Sequence, residues 1–277
     1  MRVDAFAYNL TKQGKTEMKN TSKIWGLAFA IGGLMVAQSA QAQTYRWTWN
    51  NDNSIVGNQV GQFKSAESTY RQEDGAFSFD YTIGRQAGTN KIANGFWLAI
   101  SGGPNPKGIA GELAIFYFDA STATPVLTAY GYNGENGFTS YKDGSPAPGT
   151  QAPDKIASSL TTPNFIKGIG YQDLANGDRK FAISIEGSVI NNYQPQNGNP
   201  NDWKGVAFDQ KFGVWLHPVL DANFSYNQDG FIQNFTNTQN GWMDGSNLST
   251  EAVPEPASMT ILALGLAALA RKRKNSR

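Results

Sequence analysis

One histidine and no cysteine limit the chemistry this chain can carry. Multi-histidine metal sites, thiolate nucleophiles, Cys-ligated metals and disulfides are excluded by count. His217 is followed by Pro218 and closes the apolar run Val214-Trp215-Leu216, so it reads as a polar residue at a strand end. The body has no Gly-x-Ser-x-Gly, hence no nucleophile elbow, and no Asp-x-Asp-x-Asp-Gly calcium loop. Loop residues Asp52, Asn53 and Asp202 offer the oxygen ligands Ca2+ takes, but no spacing singles out a site, so no cofactor or metal is expected. The loop from Gly102 to Gly108 lacks a Lys-Ser/Thr ending and a following helix, so it reads as a turn, not a phosphate cradle. A glycosidase needs only two carboxylates. Glu112, Asp119 and Glu186 read as charges at strand ends and Asp80 as part of a polar face, so no catalytic residue is assigned. Sugar binding has better material. Trp203 and Trp242 lie in Asn/Gly/Asp-rich loops and Tyr193 at a strand end, where a ring can stack on a sugar while Asn and Asp bond its hydroxyls. The competing reading has these rings staple loops onto the core. Trp47, Trp49, Trp97 and Trp215 sit in strand patterns and read as core.

The last 25 residues, 253–277, hold three features in a fixed order. Pro254-Glu255-Pro256 comes first; its prolines fix φ and remove amide donors, isolating the apolar segment from the body. Residues 257–270 are uncharged and rich in Ala and Leu, which favour helix. Such a helix spans roughly 21 Å, short of the roughly 30 Å bilayer core unless flanking side chains snorkel. Arg271-Lys272-Arg273-Lys274 then keeps the end cytoplasmic. This order resembles the PEP-CTERM protein-sorting signal of Gram-negative bacteria, carried here by Pro254, Glu255, Pro256, the Ala/Leu segment with Gly265, and the basic end. The resemblance covers the tail only. It implies recognition by an exosortase, a membrane-embedded processing enzyme, cleavage near the motif, and delivery to the cell surface or an extracellular matrix. It implies no activity for the body.

The other end is consistent with export. Met18-Lys19-Asn20-Thr21-Ser22-Lys23 is a short basic opening, residues 24–37 are apolar, and Ala40-Gln41-Ala42 is a small-x-small site. Residues 18–42 therefore read as a secretory signal peptide cleaved after Ala42 by the Sec route. Residues 1–17 are polar and mixed in charge. They are either an extension ahead of a true start at Met18 or a long n-region.

Between these ends the formal charge of +1 is misleading. Residues 43–253 hold 13 Lys/Arg against 19 Asp/Glu, a net −6, with no basic footprint for nucleic acid or anionic lipid. The body reads as short strands throughout. Tyr45-Arg46-Trp47-Thr48-Trp49 alternates, as do Phe77, Phe79, Tyr81 and Ile83 with Ser78, Asp80 and Thr82. Residues 95–101 and 113–118 are continuously apolar and read as central strands. Residues 126–132, 165–171, 180–186, 188–193, 206–208, 212–217, 223–226 and 231–235 complete the set, with Asn176-Gly177-Asp178 as a hairpin turn. Residues 143–163 read as a long surface loop.

About a dozen strands without an amphipathic helix predict an all-β β-sandwich, jelly-roll or concanavalin A-like, over residues 43–236. Residues 237–252 read as a polar spacer before the tail, and the resemblance implies that the tail's single hydrophobic helix anchors the protein in the inner membrane before processing. A parallel β-solenoid is the alternative, but no fixed repeat period is found. The expected function is that of an exported surface or matrix protein, non-catalytic and structural or adhesive, with exosortase and Sec as partners and no nucleic acid. The alternative is a module binding extracellular polysaccharide or a carbohydrate-active enzyme.

Overall fold

The computed structural model describes residues 44–50, 60–101, 112–131, 139–142, 153–162, 164–194, 213–241, 243–244 and 251–253. The chain divides into two units, Met1–Gln41 and Ala42–Arg277, and every described residue belongs to the second.

Two antiparallel sheets carry the fold. The first has six strands, β1 (Thr44–Asn50), β2 (Phe63–Arg71), β3 (Ala76–Ile83), β8 (Ile166–Asp173), β9 (Arg179–Glu186) and β15 (Glu251–Val253), in the order β15-β1-β2-β3-β9-β8. The second is built on β4 (Gly95–Ser101), β5 (Glu112–Asp119), β6 (Val126–Gly131), β7 (Lys155–Ser158) and β10 (Gly213–Leu220). Its order is β10-β4-β5-β6-β7, and β13 (Gln239–Asn240) and β14 (Met243–Asp244) both pair with the free side of β10. A separate hairpin joins β11 (Asn223–Tyr226) to β12 (Ile232–Thr236).

The alternation in β3 does what period-2 patterning requires. Phe77, Phe79, Tyr81 and Ile83 are buried, while Ser78, Asp80 and Thr82 stand on the outer face. The inner aromatics meet the second sheet directly. Phe96 stacks on Phe118 at 4.9 Å, meets Tyr81 edge-on at 5.2 Å and Phe181 at 5.7 Å. Phe77 stacks on Phe116 at 6.3 Å. Each fully buried ring of this kind is worth about 1.5–3 kcal/mol in transfer alone. Truncating the hub residue Phe96 to Ala would leave a cavity and cost about 3–5 kcal/mol.

The continuous apolar runs have a different cause. The second sheet is covered on both faces. Phe96, Leu98, Phe116 and Phe118 point toward the first sheet, whereas Trp97, Tyr117 and Tyr130 point the other way and are buried too. The β11–β12 hairpin covers that outer face. Phe235 packs on Trp97 and Tyr117, and Phe231 on Tyr130. Two tyrosine hydroxyls hold the hairpin by its backbone: the Ile232 amide donates to Tyr130 (2.8 Å) and the Phe235 amide to Tyr141 (3.0 Å).

Three local readings change. Residues 143–163, read as a long surface loop, contain β7, a strand of the second sheet whose Ile156, Ala157 and Ser158 are buried. Residues 188–193, read as a strand, contain a single helical turn, α1 (Gly187–Asn191). Glu186 causes it: its carboxylate accepts from the Ser188 amide and hydroxyl, satisfying donors a strand would leave to a neighbour. The stretch 237–252, read as a spacer, supplies β13, β14 and most of β15. The strand read at 206–208 lies outside the described residues. The Asn176-Gly177-Asp178 turn is present between β8 and β9, with Gly177 at φ +87 as such a turn demands.

Candidate functional site

Tyr193 is the one proposed sugar-stacking residue within the described set; Trp203 and Trp242 lie outside it, as do Asp52, Asn53 and Asp202. Tyr193 follows α1 rather than ending a strand, and it is half-buried against the core. Its hydroxyl donates to Asp154 Oδ1 at 3.2 Å. Burial, and then the Asp154 charge, push its pKa up to about 12. The ring therefore ties α1 to the start of β7.

The two buried carboxylates among the described residues, Asp119 and Asp154, serve different contacts. Asp119, read as a solvated strand end, is buried. Its side chain accepts from the Tyr226 hydroxyl (2.9 Å), the Ser121 amide (2.7 Å) and the Ser121 hydroxyl (2.6 Å), so it locks β11 to the end of β5. Asp154 is the other buried carboxylate among the described residues. Its carbonyl accepts from the Gly131 amide, and Gly131 lies opposite Ala114, five residues along β5 from Asp119. At about 3.4 Å per residue their backbones are offset by roughly 17 Å along the strand direction.

His217 is also placed differently from its reading. β10 does not end there but runs on through Pro218 to Leu220. The imidazole lies parallel to Trp97, its neighbour across β4, at 4.3 Å, and Trp215 tilts over it at 4.5 Å. Among the described residues no group meets hydrogen-bond geometry at either His217 nitrogen or at Trp215 Nε1, although the Gly241 backbone lies near the imidazole. Burial drives the His217 pKa down to about 3; the Gly241 carbonyl works weakly the other way. Pro218 can stay in the strand because its missing donor falls on a broken neighbour. Its carbonyl accepts from the Gly241 amide, so its nitrogen faces that side too, where the partner strand is interrupted between β13 and β14.

The two ends of the described body meet at one sheet edge. β15 pairs antiparallel with β1, placing Val253 opposite Thr44, Ala252 opposite Tyr45 and Glu251 opposite Arg46. β1 is held in turn by β2 along its whole length, with Arg46 3.4 Å from Glu67. Pro254, next in sequence, has no amide hydrogen to donate to a ladder. Family comparison matches residues 252–274 to the PEP-CTERM protein-sorting motif. The tail is a PEP-CTERM sorting signal. A signal of this kind marks an exported protein processed by an exosortase. Comparison with curated proteins gave no match, and comparison with solved structures gave none either.

The PEP-CTERM match begins inside the fold, because Ala252 and Val253 are paired residues of β15. Pro254, Glu255, Pro256, the apolar segment and Arg271, Lys272, Arg273 and Lys274 lie outside the described residues, as do Ala40 and Ala42. From Val253 to Ala257, where the apolar segment starts, is four residue steps, at most about 14 Å of chain. No helix among the described residues is long and apolar enough to cross a membrane.

Proposed function

We propose that this chain is an exported protein that its PEP-CTERM tail holds at the inner membrane and that an exosortase delivers to the cell surface or extracellular matrix. There its β body, a sandwich of jelly-roll or concanavalin A-like type, serves a non-catalytic structural or adhesive role. The observation that carries this reading is the sorting signal at residues 252–274, joined to the body through β15. The commitment of Asp119 and Asp154 to structural hydrogen bonds supports a non-catalytic body. The signal peptide read at residues 18–42 supplies the entry to the Sec route that the reading requires.

The experiment is a binding screen of the exported protein against a polysaccharide array that includes the producer's own exopolysaccharide, with and without calcium. The structural reading expects no saturable glycan binding. Binding that disappears in Trp203→Ala or Trp242→Ala would overturn it in favour of a lectin-like module.

A further inference from the structure

Among the described residues, the long unpaired edge of the six-stranded sheet is the surface that stands apart. Among the described strands most sheet edges are short: β15 has three residues, β7 has four, and β13 and β14 have two each. Short edges are a standard protection against unwanted pairing. β8 has eight residues, and among the described residues β9 is its only partner.

Its protective features are confined to one end. A bulge between Ile166 and Gly168 sets Lys167 aside, where its ammonium binds Glu186 at 2.9 Å. From Gly168 to Asp173 the register with β9 is unbroken, with no proline and no lysine. Gly168 and Gly170 are open: a Cβ at either would meet nothing within 4 Å. Tyr171, 37% exposed, is one of two large hydrophobics exposed among the described residues. It is held in place by the Arg179 guanidinium 4.5 Å from its ring, and Arg179 also grips Asp173 at 2.7 Å. The edge is thus regular and fixed in shape, with an aromatic ring set on it.

We propose that β8 is a dimerisation edge that pairs antiparallel with β8 of a second copy of this chain, about a two-fold axis through Gly170. The strand is self-complementary in that register. Ile169 falls opposite Tyr171 and Tyr171 opposite Ile169, an aromatic–β-branched pair made twice on the inner side. Gly168 falls opposite Gln172, and the two Gly170 residues face each other without side chains to clash. The strand carries its cation, Lys167, at its start and its carboxylate, Asp173, at its end. Both are already paired within the monomer, Lys167 with Glu186 and Asp173 with Arg179, so neither opposes the approach of the second strand. The contact is isologous and closes at two subunits, joining two six-stranded sheets into one continuous sheet. It leaves the β15 edge, where the sorting tail departs, untouched in both copies, and it does not depend on the sorting reading.

The test is sedimentation velocity on the exported protein across a hundredfold range of concentration, with two variants. Gly170→Lys puts two like charges on the axis, where each side chain has open space in the monomer. It should leave the far-UV spectrum unchanged and weaken dimerisation at least tenfold. Gly170→Cys introduces the sole cysteine in the chain at the point where the copies meet. It should crosslink to a covalent dimer with a short bismaleimide, whereas Thr122→Cys, on the exposed β5–β6 turn, should not. A monomer at every concentration overturns the proposal. So does a dimer that Gly170→Lys leaves intact and that Gly170→Cys crosslinks no faster than Thr122→Cys.

Discussion

Replacing His217 with Phe should remove a defined part of the protein's acid sensitivity. The imidazole is buried and stacks between Trp97 and Trp215, so the folded state holds it neutral. Its pKa falls from the ordinary 6.5 to about 3 on folding, with burial as the main cause. The sign comes from linkage. Because the folded value is depressed, the unfolded chain binds the proton first, and stability present above pH 6.5 drains away as pH falls toward 3. The loss is negligible at pH 7.5 and about 2 kcal/mol at pH 5, growing to about 5 kcal/mol below both values. Asp74, Asp173, Glu186 and Asp221 also lose stabilising partners on acidification, since Arg71, Arg179, Lys167 and Lys91 hold their carboxyls below the usual range. Those contributions are common to both proteins and cancel in the comparison. Phe keeps a flat ring in the slot and has no nitrogen to protonate. Urea unfolding at pH 7.5 and pH 5 should show wild type losing about 2 kcal/mol more than His217→Phe between the two. Equal losses would refute the claim that His217 is buried and uncharged.

Three further outcomes rest on single contacts. Tyr81 is fully buried and its hydroxyl has no partner among the described residues, so Tyr81→Phe should stabilise the fold by about 1 kcal/mol, read as a raised urea midpoint. Tyr130→Phe and Tyr141→Phe each strip the acceptor from a buried hairpin amide, Ile232 or Phe235. Each should cost about 1–3 kcal/mol and speed hydrogen exchange at that amide. Gly61 has φ +148 and a Cβ there would lie 2.1 Å from the Gly84 carbonyl oxygen, so Gly61→Ala should destabilise by about 2–4 kcal/mol, measured by thermal unfolding.

Much of the β architecture could be read from the sequence because half-buried strands state their inner face by alternation, as Phe77, Phe79, Tyr81 and Ile83 do. The runs 95–101 and 113–118 marked central strands, but they could not say what covered the second face. That cover is the β11–β12 hairpin, more than a hundred residues further along the chain. The same distance hid Asp119, whose partner Tyr226 is 107 residues away, and His217, whose stacking partner Trp97 meets it only through the β4–β10 register. Pro218 gave a false stop. Proline does break ladders, and nothing local revealed that the neighbouring strand is itself interrupted there. The helical turn at Gly187–Asn191 was missed because its cause is one carboxylate, Glu186, acting two residues ahead. The sorting tail needed no tertiary information, since its three features are contiguous.

The central claim is that residues 252–274 decide where the protein goes. The direct measurement replaces Pro254-Glu255-Pro256 with Ala-Ala-Ala in the producing cell and tracks the protein's size and location by fractionation. Because the motif begins one residue beyond β15, the folded body should survive the change. The expected result is a full-size precursor retained in the inner membrane and absent from the surface. Unchanged size and unchanged surface delivery would contradict it.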